Sequence, residues 1–175
     1  MEKLLITGAT GILGSEIVEK GHLKYQLFGT YNQTKNQEND LRCSYHKLNI
    51  SDKKAVEDYM DVIKPDCIIH CAAMTNVDEC EKEIYKADDI NINGTDYLVE
   101  QANKKNIKFV YISTDYVFPG RKNEYKEDDE RKPTCAYGFT KFEGEKIAEK
   151  LEDFIIARVT IPYTWKKPST KNNFA

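Results

Sequence analysis

Near its N-terminus the sequence reads Leu4-Leu5-Ile6-Thr7-Gly8-Ala9-Thr10-Gly11-Ile12-Leu13-Gly14, a short apolar run that meets three evenly spaced glycines. A glycine turn between a strand and a helix exposes backbone N–H groups where a dinucleotide pyrophosphate binds. We expect Gly8 to allow the tight turn, Gly11 to let the pyrophosphate approach the backbone, and Gly14 to let the helix pack closely. The stretch lacks the Lys-Ser or Lys-Thr pair of a P-loop. A purely structural turn is the alternative interpretation.

Apolar runs alternate with helix-like segments along the rest of the chain. Strands that are apolar on both faces indicate a parallel sheet covered by helices on both sides. Six strands in this order suit an α/β fold, a doubly wound parallel sheet of the Rossmann type. The sequence predicts strands at 4–7, 25–31, 45–49, 67–71, 109–113 and 154–158, helices at 12–20, 53–63, 85–105 and 136–150, and a polar loop at 116–134.

The chain length of 175 residues is enough for one domain. We expect residues 1–160 to form a dinucleotide-binding domain. We expect residues 161–175 to be the start of a substrate-binding region, most of which is absent from this sequence. No closing element follows the last predicted strand. Such a truncation would expose apolar surface, so a homodimer is one possible state of the chain.

Composition argues against several classes of protein. The formal net charge is −3 and the sequence has no basic stripe, so we expect no nucleic-acid partner. No apolar stretch reaches the length of a membrane span, and the N-terminus does not read as a signal peptide, so we expect a cytoplasmic protein without membrane contact. The five cysteines lack a Cys-x-x-Cys pair, which indicates free thiols. The three histidines and the acidic run at 127–130 do not predict a metal site.

A second signature, Tyr137-Gly138-Phe139-Thr140-Lys141, lies at the start of a predicted helix. It follows a strand that ends in Ser113-Thr114. Side chains at positions i and i+4 share one face of a helix, and an ammonium group near a phenol lowers the phenol's pKa. We therefore predict that Tyr137 exchanges a proton near neutral pH, that Lys141 tunes it, and that Thr114 hydrogen-bonds the substrate oxygen.

The Tyr-x-x-x-Lys spacing alone does not identify this pair, because Tyr31/Lys35 and Tyr163/Lys167 show it too. Of the three tyrosines, we choose Tyr137 as the candidate acid because it follows a strand that ends in Ser-Thr. The glycine turn and this trio, in this order, argue for hydride transfer.

The end of the second strand reads Gly29-Thr30-Tyr31-Asn32-Gln33-Thr34-Lys35, and no carboxylate follows until Glu38. An acidic residue there favours NAD, and a cationic residue favours NADP. The sequence therefore favours NADP(H), with Lys35 as a partner for the 2′-phosphate. NAD(H) stays open, since Lys35 is equally well explained as a solvated loop lysine.

Five stretches together resemble the extended short-chain dehydrogenase/reductases, in particular the dTDP-4-dehydrorhamnose reductase group. They are spread over most of the chain, and the last two are the most specific. The stretches are Gly8-Ala9-Thr10-Gly11-Ile12-Leu13-Gly14, Pro65-Asp66-Cys67-Ile68-Ile69-His70-Cys71-Ala72-Ala73-Met74-Thr75-Asn76-Val77-Asp78, Asn91-Ile92-Asn93-Gly94-Thr95, Ser113-Thr114-Asp115-Tyr116-Val117-Phe118-Pro119-Gly120 and Tyr137-Gly138-Phe139-Thr140-Lys141-Phe142-Glu143-Gly144-Glu145.

The resemblance implies roles for individual residues. Catalysis would fall to Thr114, Tyr137 and Lys141, and the sugar of a nucleotide-sugar substrate would face Thr75, Val77 and Tyr116. The implied cofactor-binding residues are Gly8, Thr10, Gly11, Ile12, Leu13, Gly14, Tyr31, Lys35, Asn49, Ile50, Cys71, Ala72, Ala73, Asn91, Tyr137 and Lys141.

The implied activity is NADPH-dependent reduction of a 4-keto nucleotide sugar. Related nucleotide-sugar dehydratases carry an acidic residue where this chain has Tyr116, so simple ketone reduction is favoured over elimination of water. Two positions depart from the pattern of the family. Asn49 stands where family members often have an aspartate that contacts adenine, and residues 161–164 lack a glycine that is common in the family. The alternatives are an epimerase or dehydratase, or an NADP-binding regulatory subunit of methionine adenosyltransferase.

Overall fold

The computed structural model describes residues 1–33 and 40–162. Its centre is one parallel sheet of six strands in the order β3-β2-β1-β4-β5-β6. This order confirms the predicted doubly wound fold. The strands are β1 (Lys3–Thr7), β2 (Gln26–Tyr31), β3 (Ser44–Lys47), β4 (Cys67–His70), β5 (Lys108–Thr114) and β6 (Phe154–Val159).

Alternate residues of a strand point to opposite sides of the sheet. Because apolar side chains point to both sides here, helices cover both faces. Leu5 of β1 joins the larger buried cluster, whereas its neighbours Leu4 and Ile6 join a second cluster with Val18. The helices are α1 (Ile12–Gly21), α2 (Lys53–Ile63), α3 (Val77–Lys82), α4 (Ile84–Asp88), α5 (Gly94–Lys105) and α6 (Ala136–Ala148), with a π-helical turn at Asp89–Asn93 and a 3₁₀ turn at Asp115–Val117.

The predicted single helix at 85–105 is wrong in one respect. The π-helical turn Asp89–Asn93 divides it into α4 and α5. Within the turn region the Thr95 hydroxyl donates to the carbonyl of Asn91 at 2.6 Å. The carbonyl thus has a side-chain donor at the wide turn, which periodicity in the sequence does not reveal.

Helix α3 was not predicted. Asn76 begins it, and the side-chain oxygen of this residue accepts a hydrogen bond from the backbone N–H of Glu79 at 3.0 Å. A six-residue helix is too short to show a clear apolar period, so only its cap and the charges at its two ends mark it in the sequence.

The chain returns from β3 at one edge to β4 beside β1 in the middle of the sheet. At such a switch point the loops that follow neighbouring strands separate and leave a crevice at the strands' carboxyl ends. Within the described residues, no helix is both long and apolar enough to cross a membrane. All five cysteines carry free thiols, as predicted.

Candidate active site

The glycine turn lies at this switch point, between β1 and α1. Gly8 has φ +65°, and a Cβ there would lie 2.8 Å from the backbone nitrogen of Ala72. A Cβ on Gly14 would lie 2.4 Å from the carbonyl oxygen of Gly8. Both contacts are with backbone atoms, so only glycine fits at these two positions. The geometry agrees with the tight turn and close helix packing expected of them.

Gly11 begins α1, and no side chain of the described residues caps this helix start. The first-turn N–H groups of a helix have no partner within the helix, and they carry the positive end of its dipole. Thr10, Ile12 and Leu13 flank the site and are half-buried. The turn therefore offers an anion-binding surface of the kind that holds a pyrophosphate.

The loop that follows β4 packs directly against this turn. The backbone N–H of Cys71 donates to the Thr7 carbonyl at 3.2 Å, and that of Ala72 donates to the Thr7 hydroxyl at 3.2 Å. Ala73 continues the loop and is half-buried. The fold thus brings together two separated stretches that the resemblance assigns to the cofactor.

His70 joins these stretches to α5 through a buried chain of hydrogen bonds. Its Nδ1 lies 2.6 Å from the Thr7 hydroxyl and its Nε2 lies 3.1 Å from the Thr95 hydroxyl. The Thr95 hydroxyl donates its hydrogen to the Asn91 carbonyl, so it accepts from Nε2 of His70. Nδ1 of the same ring therefore accepts from the Thr7 hydroxyl. Burial, with the nearby charge of Lys141, lowers the pKa of His70 to about 3, so the ring is neutral.

Asn91 ties the loop after β4 to α6. Its side-chain oxygen accepts from the N–H of Met74 at 2.8 Å, and its amide donates to the Met74 carbonyl at 3.0 Å. The same amide donates to the Thr140 hydroxyl at 2.9 Å, and Thr140 donates to the carbonyl of Tyr137 at 2.9 Å. Asn91 is buried, so these bonds position the segment that carries Tyr137; a direct contact with a cofactor stays a prediction.

Two residues of the predicted trio, Thr114 and Tyr137, lie near the carboxyl end of β5. Thr114 is buried at the end of that strand, and Tyr137 lies in the first turn of α6. The ring of Tyr116 meets the ring of Tyr137 edge-on, with centroids 5.8 Å apart. A Cβ on Gly138 would lie 2.3 Å from the carbonyl oxygen of Tyr116, so this glycine allows α6 to approach the turn after β5.

Lys141 follows one turn later on α6 and is buried, with its Nζ 4.1 Å from the centroid of the Tyr111 ring. Burial lowers the pKa of Lys141 to about 7. Burial also raises the pKa of Tyr137 to about 12, although a hydrogen bond with the Thr114 side chain acts in the opposite direction. The predicted lowering of the phenol's pKa is therefore wrong, since burial outweighs the hydrogen bond with Thr114.

The lowered pKa of Lys141 predicts a dependence of stability on pH. Its ordinary value is 10.5, so between pH 7 and pH 10.5 the unfolded chain binds a proton that the folded protein does not. The free energy of unfolding should therefore rise with pH across this window. We expect Lys141→Met to gain stability relative to wild type as pH falls from 10 to 7, measured by urea denaturation without cofactor. Lys146→Met, an exposed lysine of the same helix, is the control, and equal pH dependence in both variants would contradict the expectation.

A buried ion cluster supports α6 from the other side. Glu145 is fully buried, and its carboxylate accepts hydrogen bonds from Arg158 at 2.8 and 2.9 Å and from Arg131 at 2.8 Å. Burial alone would raise the pKa of Glu145, but the two arginines hold it below its usual range. The cluster links α6 to β6 and to the loop that precedes the helix. Sequence reasoning missed it, because its members are distant along the chain.

Three other predicted cofactor residues lie at the sheet end or in the core. Tyr31 is the last residue of β2, and Asn49 lies just beyond β3; between these strands the N–H of Leu48 donates to the Tyr31 carbonyl at 2.9 Å. Ile50 is buried in the core, and a Cβ on Gly94 would lie 2.9 Å from its side chain, so the Ile50 side chain packs inside rather than facing a ligand.

The predicted substrate contacts are all at least partly accessible to solvent. Thr75 and Tyr116 are exposed and Val77 is half-buried. Lys35 lies outside the described residues. Among the residues that the structure covers, no three His, Cys, Asp or Glu side chains form a group that could hold a metal ion.

Comparison with known proteins gives a consistent result. The family model described as "RmlD substrate binding domain" matches residues 1–175. A dTDP-4-dehydrorhamnose reductase of Aggregatibacter actinomycetemcomitans is 36% identical over 179 residues, which cover 99% of this chain and 55% of that protein. A methionine adenosyltransferase 2 subunit beta of Danio rerio is 34% identical over 152 residues, which cover 82% of this chain and 42% of that protein.

Solved structures agree with this pattern. A hypothetical dTDP-4-dehydrorhamnose reductase from Sulfolobus tokodaii matches with a TM-score of 0.82 and 38% identity, over 90% of this chain and 55% of that one. A dTDP-4-dehydrorhamnose reductase from Bacillus anthracis, in complex with NADP, matches with a TM-score of 0.73 and 32% identity, over 90% of this chain and 52% of that one.

The chain spans about half the length of the curated relatives it matches. The matches confirm the resemblance to the extended short-chain dehydrogenase/reductases, and the doubly wound sheet agrees with it. The chain belongs to the family described as the RmlD substrate binding domain.

Proposed function

We propose that the full-length protein, of which this sequence is all or part, reduces the 4-keto group of a nucleotide sugar with NADPH. The observation that carries this proposal is the half-buried phenol of Tyr137. It stands beside Thr114 at the carboxyl edge of the sheet, the same edge that holds the glycine turn. The names of the reductase relatives support the same activity.

The residues present fit a dinucleotide. Side chains at Gly8 and Gly14 would clash with backbone, and the uncapped start of α1 leaves N–H groups available to phosphates. The turn at 8–14 and the loop at 71–73 would hold the cofactor, with Lys141 beside them. When bound, a reduced nicotinamide supplies the hydride for ketone reduction.

The chain's own residues supply the proton. The neutral phenol of Tyr137 would donate its proton to the ketone oxygen as negative charge develops there, and would be left as a phenolate. An ammonium on Lys141 would stabilise that phenolate. The Asn91–Thr140 hydrogen bond would keep the start of α6 in place during the step.

A regulatory subunit is the second candidate, because methionine adenosyltransferase 2 subunit beta proteins match at similar identity. The presence of all three residues of the trio favours an enzyme. A dehydratase is less favoured, because the residue after Asp115 is Tyr116, whose phenol lacks the acidity of a carboxyl group.

The proposal is tested by mixing the full-length protein with NADPH and dTDP-4-dehydrorhamnose and following absorbance at about 340 nm. We expect consumption of NADPH that matches the alcohol formed. Cofactor binding without any consumption would support the regulatory subunit instead.

We also expect NADPH to bind more tightly than NADH, roughly tenfold or more, because one charge-assisted hydrogen bond is worth about 1.5–3 kcal/mol. Asn32 and Gln33 follow β2 without offering a carboxylate to a ribose hydroxyl. Calorimetric titration with both cofactors measures the difference. Lys35→Gln should weaken NADPH alone, and equal or tighter binding of NADH by wild type would contradict this reading.

A further inference from the structure

The amino group of Lys141 has an unusual environment for a lysine. The residue is 3% exposed, and no hydrogen bond or ion pair among residues 1–33 and 40–162 involves its Nζ. A buried ammonium without a polar partner is costly, because it has lost its water. The structure places this nitrogen over the ring of Tyr111 instead, 4.1 Å from the ring centroid. The face of an aromatic ring is its negative side and attracts a cation.

The ring of Tyr111 has a fixed position under Lys141. Tyr111 is fully buried in β5, and its hydroxyl donates to the backbone carbonyl of Lys141 at 3.4 Å. One turn later on α6, a Cβ on Gly144 would overlap this hydroxyl oxygen and lie 2.5 Å from the ring carbon that bears it. Glycine at that position therefore leaves the space that the phenol fills. The contact with Lys141 is built from β5 and α6 together.

The other ionisable groups that face Lys141 come from β4, from the loop after it and from α6. The ring of His70 is neutral, and burial raises the pKa of the Cys71 thiol to about 12, so neither group supplies a negative charge at neutral pH. Glu145 is negative, but two arginines bind its carboxylate. The face of Tyr111 is thus a neutral group in direct contact with Nζ that favours the ammonium over the free amine.

We propose that Tyr111 is a positioning residue whose ring face holds Lys141 as an ammonium, one helical turn from the candidate acid Tyr137. The role of this contact in the reaction rests on the proposed reductase function. A carboxylate under Nζ would cancel the charge of the ammonium, whereas a neutral ring leaves the net positive charge at the site. That charge is then available to stabilise the phenolate that Tyr137 becomes after it donates its proton.

Fluorinated phenylalanines at position 111 test the ring face while nearly keeping the shape of the ring. Tyr111→Phe keeps the aromatic face, so the pKa of Lys141 should stay close to its wild-type value. Each fluorine then added to that ring withdraws electrons from the face. The pKa of Lys141 should therefore fall stepwise with one, two and three fluorines, by about 1 in total.

The pKa is measured in the full-length protein without cofactor, by ¹³C NMR of lysines labelled at Cε. Lys141→Met assigns the signal, and the readout needs no catalytic activity. Phe109 gives the matched control, since it is buried two residues earlier on β5 and its ring lies beside His70, with centroids 6.0 Å apart. The same fluorinated residues at position 109 should leave the pKa of Lys141 unchanged.

A pKa of Lys141 that stays constant across the series at position 111, or that falls equally with the series at position 109, would overturn the proposal. Activity then tests the role in the reaction. Because the ammonium is the form that acts, the alkaline limit of kcat/KM for dTDP-4-dehydrorhamnose should move to lower pH by the same amount as the pKa. A falling pKa with an unmoved alkaline limit would overturn that role.

Failure of the reductase function is distinguishable from failure of the contact. If wild type does not reduce the ketone, the reductase function and the part of Tyr111 in it both fail. A stepwise fall of the pKa of Lys141 in the same protein would still support the contact between the ring and the ammonium.

Discussion

Tyr137→Phe should lower kcat for ketone reduction by about 10²–10⁴-fold, the range that general acid catalysis supplies. The phenol is half-buried near the carboxyl end of β5, and phenylalanine fills nearly the same volume without a proton to give. The binding surface for cofactor phosphates lies at the glycine turn, so the NADPH dissociation constant should change little. Steady-state kinetics of the full-length variant with calorimetric NADPH titration measures both quantities.

Tyr85→Phe is the matched control, since Tyr85 is 90% exposed on α4 and should leave kcat unchanged. Near-normal turnover by Tyr137→Phe would remove Tyr137 as the acid. A parallel loss of NADPH affinity would indicate that the phenol mainly holds the cofactor.

Gly14→Ala should abolish measurable dinucleotide binding and lower the free energy of unfolding by roughly 1–3 kcal/mol, the usual cost of overpacking. The added Cβ would lie 2.4 Å from the Gly8 carbonyl oxygen and 2.7 Å from the Ala9 Cα. These are backbone atoms of the turn itself, so the turn must deform to relieve the clash. Urea denaturation and NADPH titration of the variant test the two effects.

Gly21→Ala, near the end of the same helix, is the control. A Cβ there meets only side-chain atoms, with the nearest at 3.6 Å, and its φ is not in the left-handed region. This variant should be as stable as wild type or up to about 1 kcal/mol more stable, because alanine restricts the unfolded chain more than glycine does. Tight NADPH binding by Gly14→Ala would show that the turn does not form the phosphate site.

The elements of the fold were largely predictable because each has a local signal. Lys53–Ile63 was predicted with its observed bounds, since Asp52 caps the helix and its apolar face repeats clearly. The glycine turn was predictable for the same reason, because the spacing of Gly8, Gly11 and Gly14 is local. Helix α3 and the π-helical turn escaped, since one is very short and the other is set by a hydrogen bond to a carbonyl.

The electrostatics of the candidate site could not be predicted from the sequence, and the roles of its residues stay predictions. The sequence points to Tyr137 and Lys141, but it does not reveal that burial raises the pKa of Tyr137 and lowers the pKa of Lys141. Burial depends on neighbours from distant strands, such as Tyr111, whose ring lies under Lys141. The His70 chain was missed for the same reason, because its partners Thr7 and Thr95 are distant from it in the sequence.

The most direct test of the account follows the hydride itself. The full-length protein is mixed with NADPH that carries deuterium at both hydrogen positions of C4 of the nicotinamide, so that either face delivers deuterium, and with dTDP-4-dehydrorhamnose, and the sugar is analysed by mass spectrometry. We predict a 4-hydroxy product that has gained one deuterium at C4 of the sugar, with one NADP formed for each product molecule. An isomerised or dehydrated sugar without net consumption of NADPH, or unchanged sugar with NADPH bound, would contradict the account.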